Sequence, residues 1–546
     1  MDRLIEVSRE FKEAVYAPIR KTSAKVNFEI LDNEAYNDVS SSASTEAHLS
    51  RVSQVTDKVR KASNQYATFE RDYFRLDGSF RIPPKPDEDV RNELGWWSGD
   101  ICGEDGVFTV PQILTLTFSA EHNSMGLTIH FDALTNEYAS DFDIEVYQAN
   151  NVLIASESVI DNKDAIFVWL HGLDDYRKIV ITIRKWAHGF RRARILEIDF
   201  GVVNEYEGDK LIKVALIEQM NVVGDTLPAN EIKFTIDNSS KEFNILNPQG
   251  FYRFLKERQQ VSLNIGVEIE EDVFEYVSTS GYYLTDWQSD EGALTTSFTA
   301  RNIFELFEKE YTPSAVFNNF FDLAEDILKQ AGVVFYSIDS TLRDIETTGF
   351  KDKVTYRKAL QCIGIASKSA VYQDRSSTVV IKPFEILDES TSYIHFAGYD
   401  MFTGMVTPTV YSGYDMKNIT FDNVYKEPQI KLDKLLQTLV MTVYAGETKQ
   451  EYIFYNPEVK EGASLKCDIP LINSEEHAAD IAKWIIAESN LRALYQVNWR
   501  QNPALETGDI VIIEDSFGAE KQSRIIKQEY EFVGYLNGKT ETKGGV

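Results

Sequence analysis

Apolar and polar residues alternate along much of this chain, with the period of two that is typical of β-strands. In SAKVNFEILD (23–32), Val26, Phe28 and Ile30 share one face of a predicted strand. The polar, Ser-rich stretch DVSSSASTEAHLS (38–50) that follows predicts a loop.

A second strand-like segment is ATFERDYFRLDGSFRIPPKPDEDV (67–90), with a predicted turn at Asp77-Gly78. Prolines at positions 83, 84 and 86 close this segment. Because prolines interrupt regular structure, this end of the segment is a predicted domain boundary.

Six short runs of alternating residues, separated by Gly, Asn or Asp, lie between Gly95 and Gly201. The runs are FTVPQILTLTFS, GLTIHFDAL, DFDIEVYQANN, AIFVWLHGL, KIVITIRKW and RILEIDFGVV. This many short strands at regular spacing over about a hundred residues indicate an all-β sandwich, here a self-contained insert.

Strands resume at 213–238 and 261–302, and the C-terminal passage is again β, with a predicted hairpin at 515–518. SGYYLTDWQSDEGALTTSFTA (280–300) and EYEFVGYLNGKTETKGG (529–545) resemble each other, since each is a strand, a Gly-containing turn and a Thr-rich return. This repeat predicts two related β-barrels within one chain.

Three helices are predicted from apolar residues spaced three and four apart. SAVFNNFFDLAEDILKQAGV (314–333) has Gly332 as its predicted stop, and TYRKALQCIGIASKS (355–369) leads into a strand pair. The third, NSEEHAADIAKWIIAESNLRAL (473–494), begins at Ser474 with acidic residues in its first turn, which favours a helix N-terminus.

The chain has 546 residues, enough for roughly three or four domains with their own cores. With 56 Lys and Arg against 86 Asp and Glu, its formal net charge is −30, which argues against a general nucleic-acid binder because such binding needs basic side chains on phosphates. Cys102, Cys362 and Cys467 are far apart and form no disulfide framework or metal motif. No stretch predicts a signal peptide or a membrane segment, so a soluble protein made in a cytoplasm is expected.

Motifs of common catalytic sites are missing from the sequence, which has no P-loop, HExxH, GxSxG or dinucleotide-binding fingerprint. The seven histidines are scattered singly. The densest carboxylates, Glu270, Glu271 and Asp272, favour a solvated hairpin tip over a pair of catalytic acids. We therefore predict no enzymatic activity, no catalytic residue, no cofactor and no metal. An enzyme that acts on cell-wall polymers, with carboxylates from distant parts of the chain, is the weaker alternative.

The adjacent tryptophans Trp96 and Trp97 have two interpretations. Neighbouring residues of a strand point to opposite faces, so at least one ring should be buried. This favours an anchor of the insert on the neighbouring barrel, and stacking on a sugar is the alternative.

The stretch from Arg177 to Arg194 has seven Lys or Arg residues and no Asp or Glu, which is unusual in so acidic a chain. The isoleucines of IVITI are predicted to point inward, with Trp186 in the core or at its rim. Arg191, Arg192 and Arg194 are predicted to form a solvated edge, to which an acidic neighbour, including another copy of the chain, would dock. Binding of a glycan or another anion is the open alternative. The candidate residues for contact with a glycan or a subunit are Trp186, His188, Arg191 and Arg192.

The segments EVSREFKEAVYAPIRKTSAKVNFEI, YFRLDGSFRIPP and GWWSGD resemble, in this order, the start of tail-hub proteins of phages and prophages of Gram-positive bacteria, also called tail-associated or baseplate-hub proteins. The helix SAVFNNFFDLAEDIL, the module ALQCIGIASKSAVYQDRSSTVVIKPF and the closing NPALETGDIVII and IIKQEYEFVGYLNGKTETKGG agree with that family in order. The resemblance covers nearly the whole chain. The end of the insert, KIVITIRKWAHGFRRARILEIDFG, resembles the final strands of discoidin-like, galactose-binding-type β-sandwiches.

The resemblance implies a mainly β fold with α+β parts, made of two β-barrel hub domains, a small α/β module and an inserted β-sandwich. The implied domains are 1–94, the first part of hub barrel one; 95–205, the inserted jelly-roll or discoidin-like β-sandwich; 206–310, the remainder of hub barrel one; 311–400, the α/β module; and 401–546, the second hub barrel with helix 473–494.

The resemblance also implies a structural virion protein, made in the cytoplasm of the bacterial host and located at the distal end of the phage tail. Such hubs are homotrimers whose two similar barrels per chain present a pseudo-sixfold ring to the hexameric tail tube. The implied partners are the tail tube, the distal-tail protein ring, the tape-measure protein and tail-fibre or tip proteins. DNA would pass through the channel at genome ejection without specific binding, which the acidic balance suits.

Two further expectations follow from the resemblance. Hubs of this family commonly continue into a peptidase or lysozyme domain, and because the chain ends at Val546, neither activity is expected. The alternative function is a carbohydrate-binding adhesin, or receptor-binding protein, that attaches to host surface glycans through the insert.

Overall fold

A computed structural model describes most of the chain. The described residues are 5–60, 65–83, 94–132, 135–221, 223–224, 227–244, 247, 255, 258–288, 294–313, 317–384, 398–399, 406–407, 418–419, 423–446, 448–514 and 520–544. The hairpin predicted at 515–518 lies outside them, as do residues 314–316 of the first predicted helix.

The α-helices among these residues are α1 (Arg9–Tyr16), α2 (Asn33–Asp38), α3 (Phe320–Gln330), α4 (Tyr356–Ala366) and α5 (Glu475–Asn490). The strands of the first part of the chain are β1 (Thr22–Leu31), β2 (Val39–Ala43), β3 (Gln65–Tyr66), β4 (Phe80–Arg81), β5 (Trp96–Trp97), β6 (Val107–His130), β7 (Ala139–Tyr147), β8 (Leu153–Val159), β9 (Ile166–Trp186), β10 (Arg194–Ile195), β11 (Glu197–Asp199) and β12 (Gly201–Tyr206).

The next strands are β13 (Leu211–Gln219), β14 (Glu231–Asp237), β15 (Gln260–Glu270), β16 (Val273–Ser278), β17 (Tyr282–Gln288), β18 (Thr295–Arg301), β19 (Glu310–Tyr311), β20 (Tyr336–Ile338), β21 (Val354–Thr355), β22 (Ser369–Gln373) and β23 (Val379–Pro383). The last are β24 (Gly398–Tyr399), β25 (Val406–Thr407), β26 (Asn418–Ile419), β27 (Gln429–Leu432), β28 (Leu436–Ala445), β29 (Thr448–Tyr455), β30 (Ala463–Asp468), β31 (Ala493–Trp499), β32 (Ile510–Glu514), β33 (Glu520–Phe532) and β34 (Leu536–Gly544).

The three helices predicted from the apolar spacing are α3, α4 and α5. Each begins after a capping side chain, Asn319, Thr355 or Ser474, whose oxygen accepts a backbone N–H of the first turn. Helix α3 starts later than predicted because Asn319 caps it. Gly332, with a φ of +79°, ends that helix as predicted.

The chain folds into two compact units. Unit 1 comprises Met1–Asn27, Glu205–Lys241 and Gln260–Val546, and unit 2 comprises Phe28–Asn204 and Glu242–Gln259. Unit 2 thus takes in more of the N-terminal part of the chain than the insert predicted at 95–205. The five domain boundaries given by the resemblance stay a prediction.

Unit 2 is a β-sandwich built on two long strands, β6 and β9. The first half of β6 pairs with the second half of β9, and this sheet continues through β2 on one side and through β7 and β8 on the other. The second half of β6 pairs with the first half of β9 and with β11. Register shifts in the middle of β6 separate these two halves of its pairing with β9. The predicted all-β sandwich is confirmed.

Several elements of unit 2 differ from the predictions. The first two of the six predicted runs form the single strand β6, and AIFVWLHGL and KIVITIRKW form the single strand β9. Strand β2 lies in the predicted loop 38–50, because small serines fit an edge strand whose Val39 and Ala43 pack against the core. Strand β8 escaped prediction because most of its residues are exposed. Within 67–83, the strand-like segment forms only the short β4.

Most strands of unit 1 belong to one large sheet of 14 strands, in the order β12-β1-β15-β17-β18-β14-β13-β33-β34-β31-β27, with β16, β26 and β32 attached beside that path. The strands predicted for two barrels meet where β13 pairs with β33, from Val214↔Phe532 to Gln219↔Lys527. The two repeated segments are the antiparallel hairpins β17–β18 and β33–β34 of this sheet. No sheet closes into a barrel among the described strands, although the mainly β fold with α+β parts is confirmed.

The remaining part of unit 1 is mixed α and β. Helices α3 and α4 accompany the small sheet β20-β23-β22, and helix α5 packs on β28 of the sheet β29-β28-β30. All three helices contribute to one apolar core, for example through Ile327, Ile363 and Ile481. The helix predicted as part of the second barrel therefore shares its core with the predicted α/β module.

Candidate functional site

The basic strand pair at the end of the insert is the candidate site, and its apolar residues lie where the sequence predicts. The side chains of Ile179, Ile181 and Ile183 are fully buried. Trp186 lies in the core, where its indole N–H donates to Oε2 of Glu137 over 3.1 Å. Gly106, with a φ of +80°, passes so close that a Cβ there would lie 2.2 Å from the carbonyl oxygen of Trp186.

Arg194 contradicts the predicted solvated edge, because its side chain is only 1% exposed. The guanidinium lies 2.6 Å from Glu70, 3.3 Å from Asp132 and 3.4 Å from Glu137. It also covers the ring of Trp97, 4.1 Å from the ring centre. Burial by itself lowers the pKa of Arg194, but the surrounding carboxylates, Glu70 first, raise it above its ordinary value.

Arg191 is likewise engaged within unit 2. Its Nε donates to Oε1 of Glu137 over 3.0 Å, and its Nη1 donates to the carbonyl oxygen of Arg71 over 2.5 Å. The guanidinium also lies 5.1 Å from the ring centre of Tyr73. With 13% of its side chain exposed, Arg191 is a structural contact more than a solvated charge.

Arg192 is only partly exposed and also binds within unit 2. Its backbone N–H donates to Oε1 of Glu70 over 2.7 Å, and its side chain donates to the carbonyl oxygens of Ser98 and Gly99. The solvated edge predicted for these arginines is therefore wrong. The sequence shows the charge of this stretch but not its partners, which lie far away along the chain.

The segment that receives these arginines is a compact loop, Tyr66–Arg81, which we call the 66–81 loop. Its ends meet where β3 and β4 pair, with Tyr66 opposite Arg81. Glu70 and Tyr73 point inward and are buried, and Thr68 donates to Glu70. A loop of about sixteen residues with its ends together and its own buried side chains has the character of an Ω-loop. We call Arg191, Arg192 and Arg194 the arginine clamp of this loop.

Among the four predicted contact residues, exposure differs sharply. Trp186 is fully buried, and the guanidinium groups of Arg191 and Arg192 donate hydrogen bonds within unit 2. His188 is exposed in the turn after β9, where its carbonyl oxygen accepts from the thiol of Cys102. The structure thus brings the four residues into one turn but leaves His188 as the exposed side chain among them.

A second buried charged group in unit 2 centres on Asp199, in β11. The carboxylate of Asp199 accepts hydrogen bonds from the guanidinium of Arg60 and, over 2.7 Å, from the hydroxyl of Tyr36. It also pairs with the imidazole of His130 at 2.9 Å. Burial would raise the pKa of Asp199, but the hydrogen bonds from His130 and Arg60 outweigh it and lower that pKa to about 2.

Glu197, two residues before Asp199, has a pKa shifted in the opposite direction. Burial and the neighbouring charge of Asp199 raise the pKa of Glu197 to about 9. Its Oε2 accepts the backbone N–H of Lys58, whereas its Oε1 has no hydrogen-bond partner among the described atoms. We therefore expect the carboxyl group to be protonated at neutral pH.

In unit 1, Arg375 connects the turn between β22 and β23 to the junction of β13 and β33. Its Nη2 donates to Oε2 of Glu218, in β13, over 2.7 Å and to the hydroxyl of Tyr530, in β33, over 3.2 Å. It also donates to the carbonyl oxygens of Pro503 and Leu505. One buried side chain therefore ties both halves of the large sheet together.

The structure also shows where the tryptophan pair and the acidic segment 270–272 lie. Trp96 and Trp97 are both buried in unit 2, with their indole N–H groups donating to the carbonyl oxygens of Thr45 and Leu94, so neither ring presents a face to a sugar. The acidic segment forms the exposed turn between β15 and β16, as predicted.

The described residues hold no cluster of three or more His, Cys, Asp or Glu arranged for a metal ion. No helix in the described part of the chain is long and apolar enough to cross a membrane.

No family model and no curated protein matches the chain. Among solved structures it is similar to the tail protein from Neisseria meningitidis MC58, with 10% identity and a TM-score of 0.42 over 62% of this chain and 93% of that one. It is also similar to the 43 kDa tail protein of prophage MuSo2 from Shewanella oneidensis, with 12% identity and a TM-score of 0.41 over 62% and 95%. A third similar structure is the family 32 CBM of NanJ from C. perfringens in complex with galactose, with 15% identity and a TM-score of 0.20 over 32% and 97%.

Sequence reasoning missed Glu70 and Arg375. The sequence did contain one indication of a distant partner such as Glu70. If an arginine-rich strand without acidic residues is buried, its arginines must pair with carboxylates from other parts of the chain. Arg375 stands in the ordinary turn sequence DRSS and carried no such signal.

Proposed function

We propose that this chain is a structural tail-hub protein at the distal end of a phage or phage-like tail. One observation supports this most: strands from both halves of the chain run in one sheet through the pairing of β13 with β33. A hub has to hold its parts in fixed positions while other proteins assemble on it. A continuous hydrogen-bonded sheet supplies that rigidity.

The buried contacts of Arg375 strengthen the same frame. Removing one partner of a buried, hydrogen-bonded charge pair is costly, so the turn between β22 and β23 cannot readily leave the junction. Its neighbour Ser377 accepts the backbone N–H of Gly281 over 2.8 Å, which adds a second tie at this turn. The small α/β part is therefore fastened to the sheet by side chains of one turn.

In this proposal three copies form the hub, link the tail tube and distal-tail ring to the tip, and close the channel until DNA passes. The net charge of −30 suits a conduit for DNA, since like charges do not retain the passing polyanion. No enzymatic step belongs to the proposal.

Sedimentation equilibrium and native mass spectrometry of the full chain test the proposal by counting the copies. Three copies per particle support it. A stable hexamer, or a monomer that does not join tail-tube rings when mixed with them, would contradict it.

Attachment to host glycans through the β-sandwich is the second candidate function. It is supported by the exposed side chain of His188 in the predicted contact turn. A glycan array probed with the full chain tests it, with His188→Ala as the variant and the exposed His48→Ala, outside that turn, as the matched control. Binding that only His188→Ala weakens supports a glycan site at this turn. An array without any bound glycan contradicts the adhesin function.

A further inference from the structure

The 66–81 loop carries large apolar side chains on its outer side. Phe69 is 107% exposed and Leu76 is 93% exposed, while Phe74 is 45% exposed. Ile82, directly after the loop, is 88% exposed. Single exposed apolar residues are common on protein surfaces, but several on one short loop are characteristic of a contact surface.

These exposed side chains belong to a loop that is firmly held. On its inner side, Glu70 accepts from both Arg192 and Arg194, and Tyr73 lies beneath the guanidinium of Arg194, 4.5 Å from ring centre to guanidinium carbon. Because the inner side is fixed by buried charges, the loop cannot turn its apolar side chains inward without breaking the arginine clamp. Their exposure is a consequence of the way this loop is anchored.

The charges around the apolar side chains favour a protein partner over a membrane or a sugar. Exposed arginines, Arg71, Arg75 and Arg81, alternate with the exposed Asp72 and Asp77. An anionic membrane would be repelled by these carboxylates and by the net charge of −30. Leu76 and Ile82 are aliphatic and have no flat ring on which a sugar could stack.

We propose that the 66–81 loop docks on a second copy of this chain, with its apolar side chains in the contact and its arginines facing carboxylates of the partner. The inference rests on the proposed trimeric hub and names one of its contact elements. Charge complementarity supports this occupant, because the chain has 86 acidic against 56 basic residues and a second copy therefore offers carboxylates in excess. In a cyclic trimer the loop would meet a different surface of the next copy, and the three contacts would close the ring.

The test is sedimentation velocity of the full chain over a range of concentrations. We expect the double variant Phe69→Ser, Leu76→Ser to dissociate at a concentration at least ten times higher than the wild type. Ile160→Ser is the matched control, because Ile160 is an apolar residue of unit 2 that is 72% exposed and lies outside the loop. Its assembly should equal that of the wild type. Thermal unfolding of each variant checks that the fold is unchanged, which the exposure of these side chains leads us to expect.

A second variant tests the charged part of the contact. Arg75→Glu should weaken assembly, and raising the salt concentration should reduce the difference between Arg75→Glu and the wild type, because screening weakens exposed charge pairs. Trimers of unchanged stability in both loop variants would overturn the docking proposal and leave the hub proposal standing. A wild-type chain that stays monomeric at all concentrations would overturn both.

Discussion

The guanidinium of Arg194 lies 2.6 Å from the carboxylate of Glu70, and both side chains are only 1% exposed. The two residues are 124 positions apart in the chain. Their pairing fixes the 66–81 loop to the end of the β-sandwich. A basic stretch that the sequence presents as a surface is, in the folded protein, the interior support of another segment.

Loss of this pair should be costly to the fold. Arg194→Met leaves Glu70, Asp132 and Glu137 without their shared cation, and removal of one partner from a buried ion pair costs about 3–5 kcal/mol. Urea unfolding measures the change in the free energy of unfolding. Arg184→Met is the control, since Arg184 is 39% exposed in its pair with Asp143, and a pair this exposed is worth less than about 1 kcal/mol. Equal losses in the two variants would show that the buried pair has no special role.

The anchoring of the loop can be measured separately from global stability. Glu70→Gln weakens the acceptor for Arg192 and Arg194, so the 66–81 loop should open more often. Trypsin should then cleave after Arg71, Arg75 or Arg81 several times faster than in the wild type. Glu157→Gln, at an exposed position in β8, serves as the control. A cleavage rate that Glu70→Gln leaves unchanged would argue against the clamp.

Glu197 should make the protein less stable as the pH rises through neutrality. Its pKa in the folded protein is raised to about 9 from an ordinary value of 4.5, so between these values the folded state binds a proton that the unfolded state has lost. The free energy of unfolding therefore falls with increasing pH over this range, by at most about 1.4 kcal/mol per pH unit from this group.

Glu197→Gln removes this titration, and its free energy of unfolding should be less dependent on pH between 5 and 9 than that of the wild type, about the window that the two pKa values define. Chemical unfolding at several pH values in this range measures the slope. Glu271→Gln, at the exposed turn between β15 and β16, should leave the slope as it is in the wild type. Identical slopes in Glu197→Gln and the wild type would mean that Glu197 titrates normally.

Arg375→Met should weaken the junction of the large sheet. Glu218 would lose a buried cation, and the carbonyl oxygen of Pro503 would lose its hydrogen bond from Arg375. Hydrogen exchange should become faster in β13 and β33 by more than tenfold. Arg343→Met, which removes a half-exposed guanidinium near Asp322, should leave exchange in these strands unchanged. Protection that persists in Arg375→Met would contradict a role for Arg375 at this junction.

Much of the local structure could be predicted from the sequence because it depends on near neighbours. The inward isoleucines of β9, the capped helices α4 and α5 and the acidic turn after β15 follow from periods of two or 3.6 residues and from capping chemistry. The long strands β6 and β9 were each predicted as two, because a bulge and a turn have the same polar pattern. Strand β2 was missed because edge strands need little apolar surface.

The sequence by itself determined the mainly β character of the chain, its sandwich and the faces of its main helices, since these depend on spacing along a single segment. Only the tertiary structure decided where the charges go. Arg194 meets Glu70, and Arg375 meets Glu218 and Tyr530, across separations of more than 120 residues. A charge can be buried only with a partner, and nothing in the local pattern around an arginine tells which distant carboxylate the fold will bring to it.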